Sequence, residues 1–168
     1  MKKILFSVIS FVMVMFTLVP TVFATNEGLA EWQDLILTEE EFNDILANNV
    51  IHTADEDTRA SGLISAYAIA ISKSGTSTLN IAGKTTGTAD VVKTGFKEVV
   101  VQRRANSSSS WSDYATYEDL YWDEFTYVLT KSLTVPTGYQ YRVTCVHYAK
   151  KNFFSVQKID NVSNILTF

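Results

Sequence analysis

The stretch "VPTGYQYRVTCVHYA", residues 135–149, decides how this chain is read. From Tyr139 onward, every second residue belongs to one set: Tyr139, Tyr141, Val143, Cys145 and His147. Period two is the spacing of a β-strand, whose successive side chains point to opposite faces. Pro136 and Gly138 mark a turn just ahead of it. A turn followed by a tyrosine entering a valine-rich strand resembles a tyrosine corner, in which the phenol ties back to backbone a few residues upstream. Tyr141 is the first choice for that role and Tyr139 the second.

The same period extends outward in both directions. In "ISAYAIAISKSG" Tyr67, Ile69 and Ile71 share one face, and the small residues Ala66, Ala68 and Ala70 share the other. "STLNIAGKTTGTA" places Leu79 and Ile81 in step, with Gly83 and Gly87 marking a bend or an edge. "GFKEVVVQRR" is rich in β-branched residues and runs into a serine turn, from which "WSDYATY" returns. "FTYVLTKSLTV" alternates Phe125, Tyr127, Leu129, Leu133 and Val135; Lys131 falls in the same phase and predicts a bulge or a short edge. "SVQKIDNVSNILTF" reads as the last strand. About seven closely spaced strands with no helix between them predict an all-β, antiparallel sandwich of immunoglobulin or fibronectin type III kind. Neither a disulfide nor a Trp on the third strand accompanies the tyrosine corner, so the fibronectin type III form describes it better.

The N-terminal part has a different character. Lys2 and Lys3 precede the uncharged apolar run Ile4 to Val19, Pro20 breaks it, and Val22-Phe23-Ala24 supplies the small residues of a cleavage site. This pattern predicts a secretory signal peptide over residues 1–24, no membrane association after its removal, and an extracellular product. Residues 25–60 carry ten acids and one base, whereas residues 61–168 carry eight acids and eleven bases. An acidic arm (25–60) therefore precedes a mildly basic sandwich domain (61–168). Within the arm, Thr38 and Glu41 form a capping box, and Phe42, Ile45 and Leu46 follow at helical spacing. So short a helix is not stable alone, and docking on its own domain is the simplest expectation. "HTADEDTRASG" has no periodicity and reads as a linker. Cys145 is the only cysteine, so packing and not a disulfide must hold the fold.

Three stretches, "ISAYAIAISKSG", "VVVQRRANSSSSW" and "YRVTCVHYAKKN", look like those of a family of small secreted proteins from Gram-positive anaerobes known only as a domain of unknown function. The resemblance covers about residues 60–168. It implies secretion and a sandwich, and it assigns no activity and no functional residue.

Most catalytic chemistries lack their residues here. No nucleophile elbow, zinc-protease motif or phosphate-binding glycine loop is present. Cys145 and His147 fall on one face of one strand, within ~7 Å of each other, but that face is the predicted core, where a thiol is inert. Glu118-Asp119 and Asp123-Glu124 supply carboxylate pairs for a small hydrolase. Asp113, Glu118, Asp119 and Asp123 supply hard oxygens for calcium, without the glycine-bearing loop of an EF-hand. Neither reading is favoured, and no metal or cofactor is expected. The net acidic chain with scattered bases argues against nucleic acid. What stands out is "SSSSWSDYATYEDLYWDEF", residues 107–125, where rings alternate with carboxylates. Trp111, Tyr117, Tyr121 and Trp122 are the candidate ligand-binding residues, with Trp122 expected exposed and Trp111 at least half buried. The favoured function is a secreted, non-enzymatic binding or adhesion module for an extracellular glycan or protein. The alternatives are a small hydrolase using the loop carboxylates and an extracellular assembly protein.

Mass spectrometry of the exported product should find a chain beginning at Thr25. A membrane-bound product retaining Met1 would refute cleavage.

Overall fold

The computed structural model describes residues 31–49, 52–53 (backbone alone) and 62–168. The signal peptide and most of the linker read from the sequence lie outside them. Along the chain come β1 (Gln33–Asp34), α1 (Glu39–Leu46), β2 (His52–Thr53), β3 (Ile64–Ser74), β4 (Thr78–Gly87), β5 (Lys93–Arg104), β6 (Ser112–Trp122), β7 (Thr126–Thr134), β8 (Gln140–Asn152), β9 (Ser155–Val162) and β10 (Leu166–Thr167). The strands form two antiparallel sheets. One has the order β1-β7-β4-β3-β2; the other runs β10-β8-β5-β6, with β9 also pairing β8. The seven long strands give the immunoglobulin-like sandwich that the alternation predicts, in its fibronectin type III arrangement: β3-β4-β7 against β6-β5-β8-β9. No helix among the described residues is long and apolar enough to cross a membrane.

The inner faces interlock. Ile69, Ile71, Leu79, Ile81, Leu129 and Leu133 from the first sheet meet Phe96, Val99, Val101, Tyr141, Val143 and Cys145 from the second. Burying each such aliphatic side chain contributes about 1.5–3 kcal/mol before entropy is charged against it. Gly83 leaves room for this packing: a β-carbon there would lie 2.8 Å from both the Ile69 side chain and the Phe96 ring.

Part of the outer face of the first sheet, on β3 and β4, is also buried. Ala68, Ala70 and Ala82 are small enough for a helix to lie flat on them, and α1 does so through Phe42, Ile45 and Leu46. The capping box forms as expected: the Glu41 amide donates to Thr38 Oγ1 at 3.3 Å, and the Thr38 amide to Glu41 Oε2 at 2.9 Å. That backbone hydrogen bond holds the Glu41 carboxyl below its ordinary range.

The arm does more than dock a helix. Trp32 lies flat on Tyr117, with ring centroids 3.5 Å apart and planes 2° from parallel, closing the seam between β7 and β6. Lys131 neither bulges nor ends its strand: β4 and β7 pair in unbroken register from Thr78↔Thr134 to Thr86↔Thr126. Its place in the apolar phase is explained by the arm, because its ammonium pairs with Asp34 and sits 5.4 Å from the Trp32 ring centre. Phe125, in phase by sequence, falls in the β6–β7 connection and is exposed. The last strand divides into β9 and β10 because Asn164 leaves the ladder and donates and accepts hydrogen bonds with the Ile71 backbone of the other sheet, both at 2.9 Å.

The tyrosine corner is formed by Tyr141. Its buried phenol donates to the Pro136 carbonyl at 2.8 Å, and burial pushes its pKa up to about 12. Tyr141→Phe should lower the unfolding free energy by about 1–3 kcal/mol in urea titrations, since the carbonyl loses its partner. Tyr139→Phe, at a half-buried ring, should change it by less than about 0.5 kcal/mol.

Candidate ligand-binding surface

The serine turn after β5 is built on Asn106, whose carbonyl accepts from the Ser109 amide and whose side chain accepts from the Ser108 amide. From it β6 runs along the edge of the second sheet, and three acids on or just after it meet partners on β5. Gln102 donates to Asp113 at 2.8 Å, Lys97 pairs with Asp119 at 2.5 Å, and Lys93 pairs with Asp123 at 2.8 Å. Cross-strand pairing is an ordinary use of such carboxylates. The Lys97 hydrogen bond, helped by one from the Tyr121 hydroxyl, holds the Asp119 carboxyl below its usual range. A glycosidase's general acid needs the opposite shift. Asp119 also adopts a left-handed backbone, φ 57°, where β5 and β6 skip a pairing. Among the described residues no three His, Cys, Asp or Glu side chains cluster as metal ligands.

The four candidate rings do not converge. Trp122, at the end of β6, is 66% exposed and meets Tyr127 edge-on. Tyr121 is half-buried; its hydroxyl donates to Asp119 at 2.9 Å, and burial followed by that contact raises its pKa strongly. Its ring meets Tyr148 at 4.5 Å across Gly95, which pairs with both residues and offers no side chain between them. Tyr117 is covered by Trp32, and burial pushes its pKa up to about 12. Trp111 lies at the far end of β6, half-buried against Arg104 and Arg142. Only Trp122 presents an open face.

Trp122 has company that the sequence reading missed. Three connections meet at its end of the sandwich. The Gly87 amide donates to the Phe125 carbonyl, Thr94 Oγ1 to the Glu124 carbonyl, and the Val92 amide to the Lys150 carbonyl. From these connections Val92, Phe125, Phe153 and Phe154 project into solvent beside Trp122, with Phe153 80% and Phe154 92% exposed. The β8–β9 tip is a formed turn: Asn152 Oδ1 accepts from the Phe154 and Ser155 amides at 3.0 Å, and the two phenyl rings meet edge to face at 5.1 Å. Lys93 pairs with Asp123 and Lys151 with Asp90 beside them. The signal was available in "NFFS": two adjacent rings in a turn between alternating strands cannot both reach a core.

Cys145 and His147 do meet, inside the sandwich. Cys145 Sγ is 3.5 Å from His147 Nε2, Asn161 Nδ2 is 3.4 Å from the same nitrogen, and His147 Nδ1 is 2.7 Å from Thr85 Oγ1. The Thr85 hydroxyl gives its proton to the Gly95 carbonyl. His147 Nδ1 therefore donates to Thr85, and Nε2 is left to accept from the Asn161 amide and the Cys145 thiol. Burial pushes the Cys145 pKa up strongly. This is a satisfied core network with no route for a substrate.

Compared with protein-family models and with curated proteins, the chain matches none. Among solved structures it is similar to the crystal structure of the GAE domain of GGA2p from Saccharomyces cerevisiae, at 7% identity and a TM-score of 0.26, over 71% of this chain and 96% of that one.

A thiol reagent at about pH 8 should leave Cys145 unlabelled in the native protein and label it fully in denaturant. Rapid native labelling would show an accessible thiolate and reopen the nucleophile.

Proposed function

We propose that this chain is a secreted, non-enzymatic binding module, released after removal of residues 1–24, whose sandwich (61–168) recognises a partner protein through the end carrying Val92, Trp122, Phe125, Phe153 and Phe154. One observation carries this reading: Trp122 at the end of β6 and four large apolar side chains from three separate connections share one end of the fold, each more than half exposed. Exposed apolar patches of this kind mark interaction sites. Loops fixed on a rigid sandwich are where such sites sit. The fixed turn under Phe153 and Phe154 also favours binding, because less conformational freedom is lost when rings are already held in place. Two projecting phenyl groups fit an apolar pocket on a protein better than the flat face of a sugar. The arm (25–60) serves as part of the scaffold in this reading, since Trp32, Phe42, Ile45 and Leu46 are used internally.

A glycan is the second reading, and Trp122 supports it: an open indole stands beside the exposed carboxylates of Asp123 and Glu124.

The double variant Phe153→Ser, Phe154→Ser should melt within a degree or two of the parent, as exposed substitutions do. It should also lose proximity-crosslinked capture of an extracellular protein that the parent retains. Undiminished capture would exclude the hairpin tip. If Trp122→Ala alone abolishes retention, and the retained material is an insoluble polysaccharide, the glycan reading replaces the protein one.

A further inference from the structure

The opposite end of the sandwich holds a second arrangement that the first does not use. Arg104 on β5 and Arg142 on β8 both pack on the ring of Trp111, with guanidinium carbons 4.3 Å and 4.4 Å from its centroid. Their central carbons are thus no further apart than the sum of those two distances. Each guanidinium is held from behind by a glutamine: Arg104 Nε donates to Gln140 Oε1 at 2.8 Å, and Arg142 Nε to Gln102 Oε1 at 2.9 Å. Gln102 is itself held by Asp113 Oδ1 at 2.8 Å. Arg104 Nη1 reaches the Ser107 carbonyl at 3.3 Å.

What remains is Nη2 of Arg104 and both terminal nitrogens of Arg142. Among the described residues no carboxylate pairs with either arginine; Asp113, the nearest acid in this chain of contacts, is engaged with Gln102. Two cations are therefore held near one another on one indole. Burial, and after it the charge of Arg104, depresses the Arg142 pKa. A fold gains nothing in stability from an uncompensated pair of like charges. The planar fork of a guanidinium, with its Nε fixed and its Nη edge open, is suited to bind an oxyanion.

We infer that Arg104 and Arg142, oriented by Gln140 and Gln102 and supported by Trp111, form a binding site for a phosphate or sulfate group. The group's source is either a free ion or an anionic polymer carrying such groups at intervals. Trp111 is a positioning residue here, engaged by the two guanidiniums, and it does not act as a stacking platform for the ligand.

The test uses the purified protein and nitrogen-detected NMR. Sodium phosphate and sodium sulfate, titrated against sodium chloride at equal ionic strength, should move the Arg104 and Arg142 Nε–H resonances and the Trp111 indole N–H saturably. The Trp122 indole should stay still. Arg142→Gln should weaken phosphate binding by about tenfold or more, the loss expected when a charged hydrogen-bond donor is removed, while the far-ultraviolet circular dichroism stays that of the parent. Arg142→Lys should recover less than half of the loss if the fork geometry matters. A polyphosphate or a sulfated glycan that binds far more tightly than the free ion identifies a polymer as the source; equal affinity per group identifies the ion. Resonances that chloride moves equally, or phosphate binding that survives Arg142→Gln unchanged, would overturn the site and leave a purely structural cation–π cluster. Neither result bears on the Phe153–Phe154 end, which is tested separately.

Discussion

β3 and β4 are buried on both faces, and the rest of the molecule is arranged around that fact. Their inward residues Ile69, Ile71, Leu79 and Ile81 are four of the fifteen buried side chains of the sandwich core. Their outward residues Ala68, Ala70 and Ala82 would leave a flat apolar strip in water, and α1 covers it. A strand with polar residues on that face would need no helix. Larger apolar residues there would hold the helix off the sheet. With the helix in place, the arm crosses the first sheet from one seam to the other. Trp32 closes the β7–β6 side on Tyr117, and Asn49 reaches the Ile69 and Val162 carbonyls at 2.8 and 2.9 Å on the β3–β9 side.

The β3 edge shows how the fold avoids an open strand without a disulfide or a long covering strand. Gln157 Oε1 accepts from the Leu63 and Ile64 amides, β2 pairs at Ala66 and Tyr67, Asn49 takes the Ile69 carbonyl, and Asn164 satisfies both backbone groups of Ile71. Carboxamides suit this task because each carries a donor and an acceptor. An unpaired edge invites pairing with another chain; here the backbone groups are satisfied from within, by side chains on the arm and on the last strands. The same completeness holds inside, where Thr85, Cys145, His147 and Asn161 satisfy one another.

Much of this was legible from period alone. Alternation gave the strands, the Pro-Gly turn before "YQYRV" pointed to Tyr141, and the capping box located α1. Period reports which residues share a face, but it does not say what lies opposite. Lys131 broke the apolar phase and read as a defect, because its partners, Asp34 and Trp32, are about a hundred residues away in sequence. Phe125 keeps the phase yet lies just before β7, since alternation does not mark where a strand begins. The last strand was read as one piece because nothing local requires Asn164 to cross to the other sheet. The site was harder still. Trp111, Tyr117, Tyr121 and Trp122 are close in sequence, and a strand spreads them over different faces and ends. Of the side chains that gather with Trp122, Phe125 is three residues away, but Val92 lies thirty residues before it and Phe153 and Phe154 some thirty after, and only tertiary structure brings them together.

The two ends of β6 lead to opposite chemistry. Trp111 and Trp122 are eleven residues apart, or roughly 35 Å along an extended strand. At one end an indole is open among apolar side chains; at the other an indole is engaged by two guanidiniums that pair with no carboxylate among the described residues. A ligand at either end leaves the other uncovered. The strands between are locked by the buried ladder of Val99, Val101, Val143 and Cys145, so the separation is fixed by the core and does not change as loops move. A sandwich built this way can hold two surfaces a set distance apart, one through apolar contact and the other through an oxyanion. The contact at the apolar end should survive salt. The contact at the arginine end should weaken as salt rises, because it depends on exposed charge.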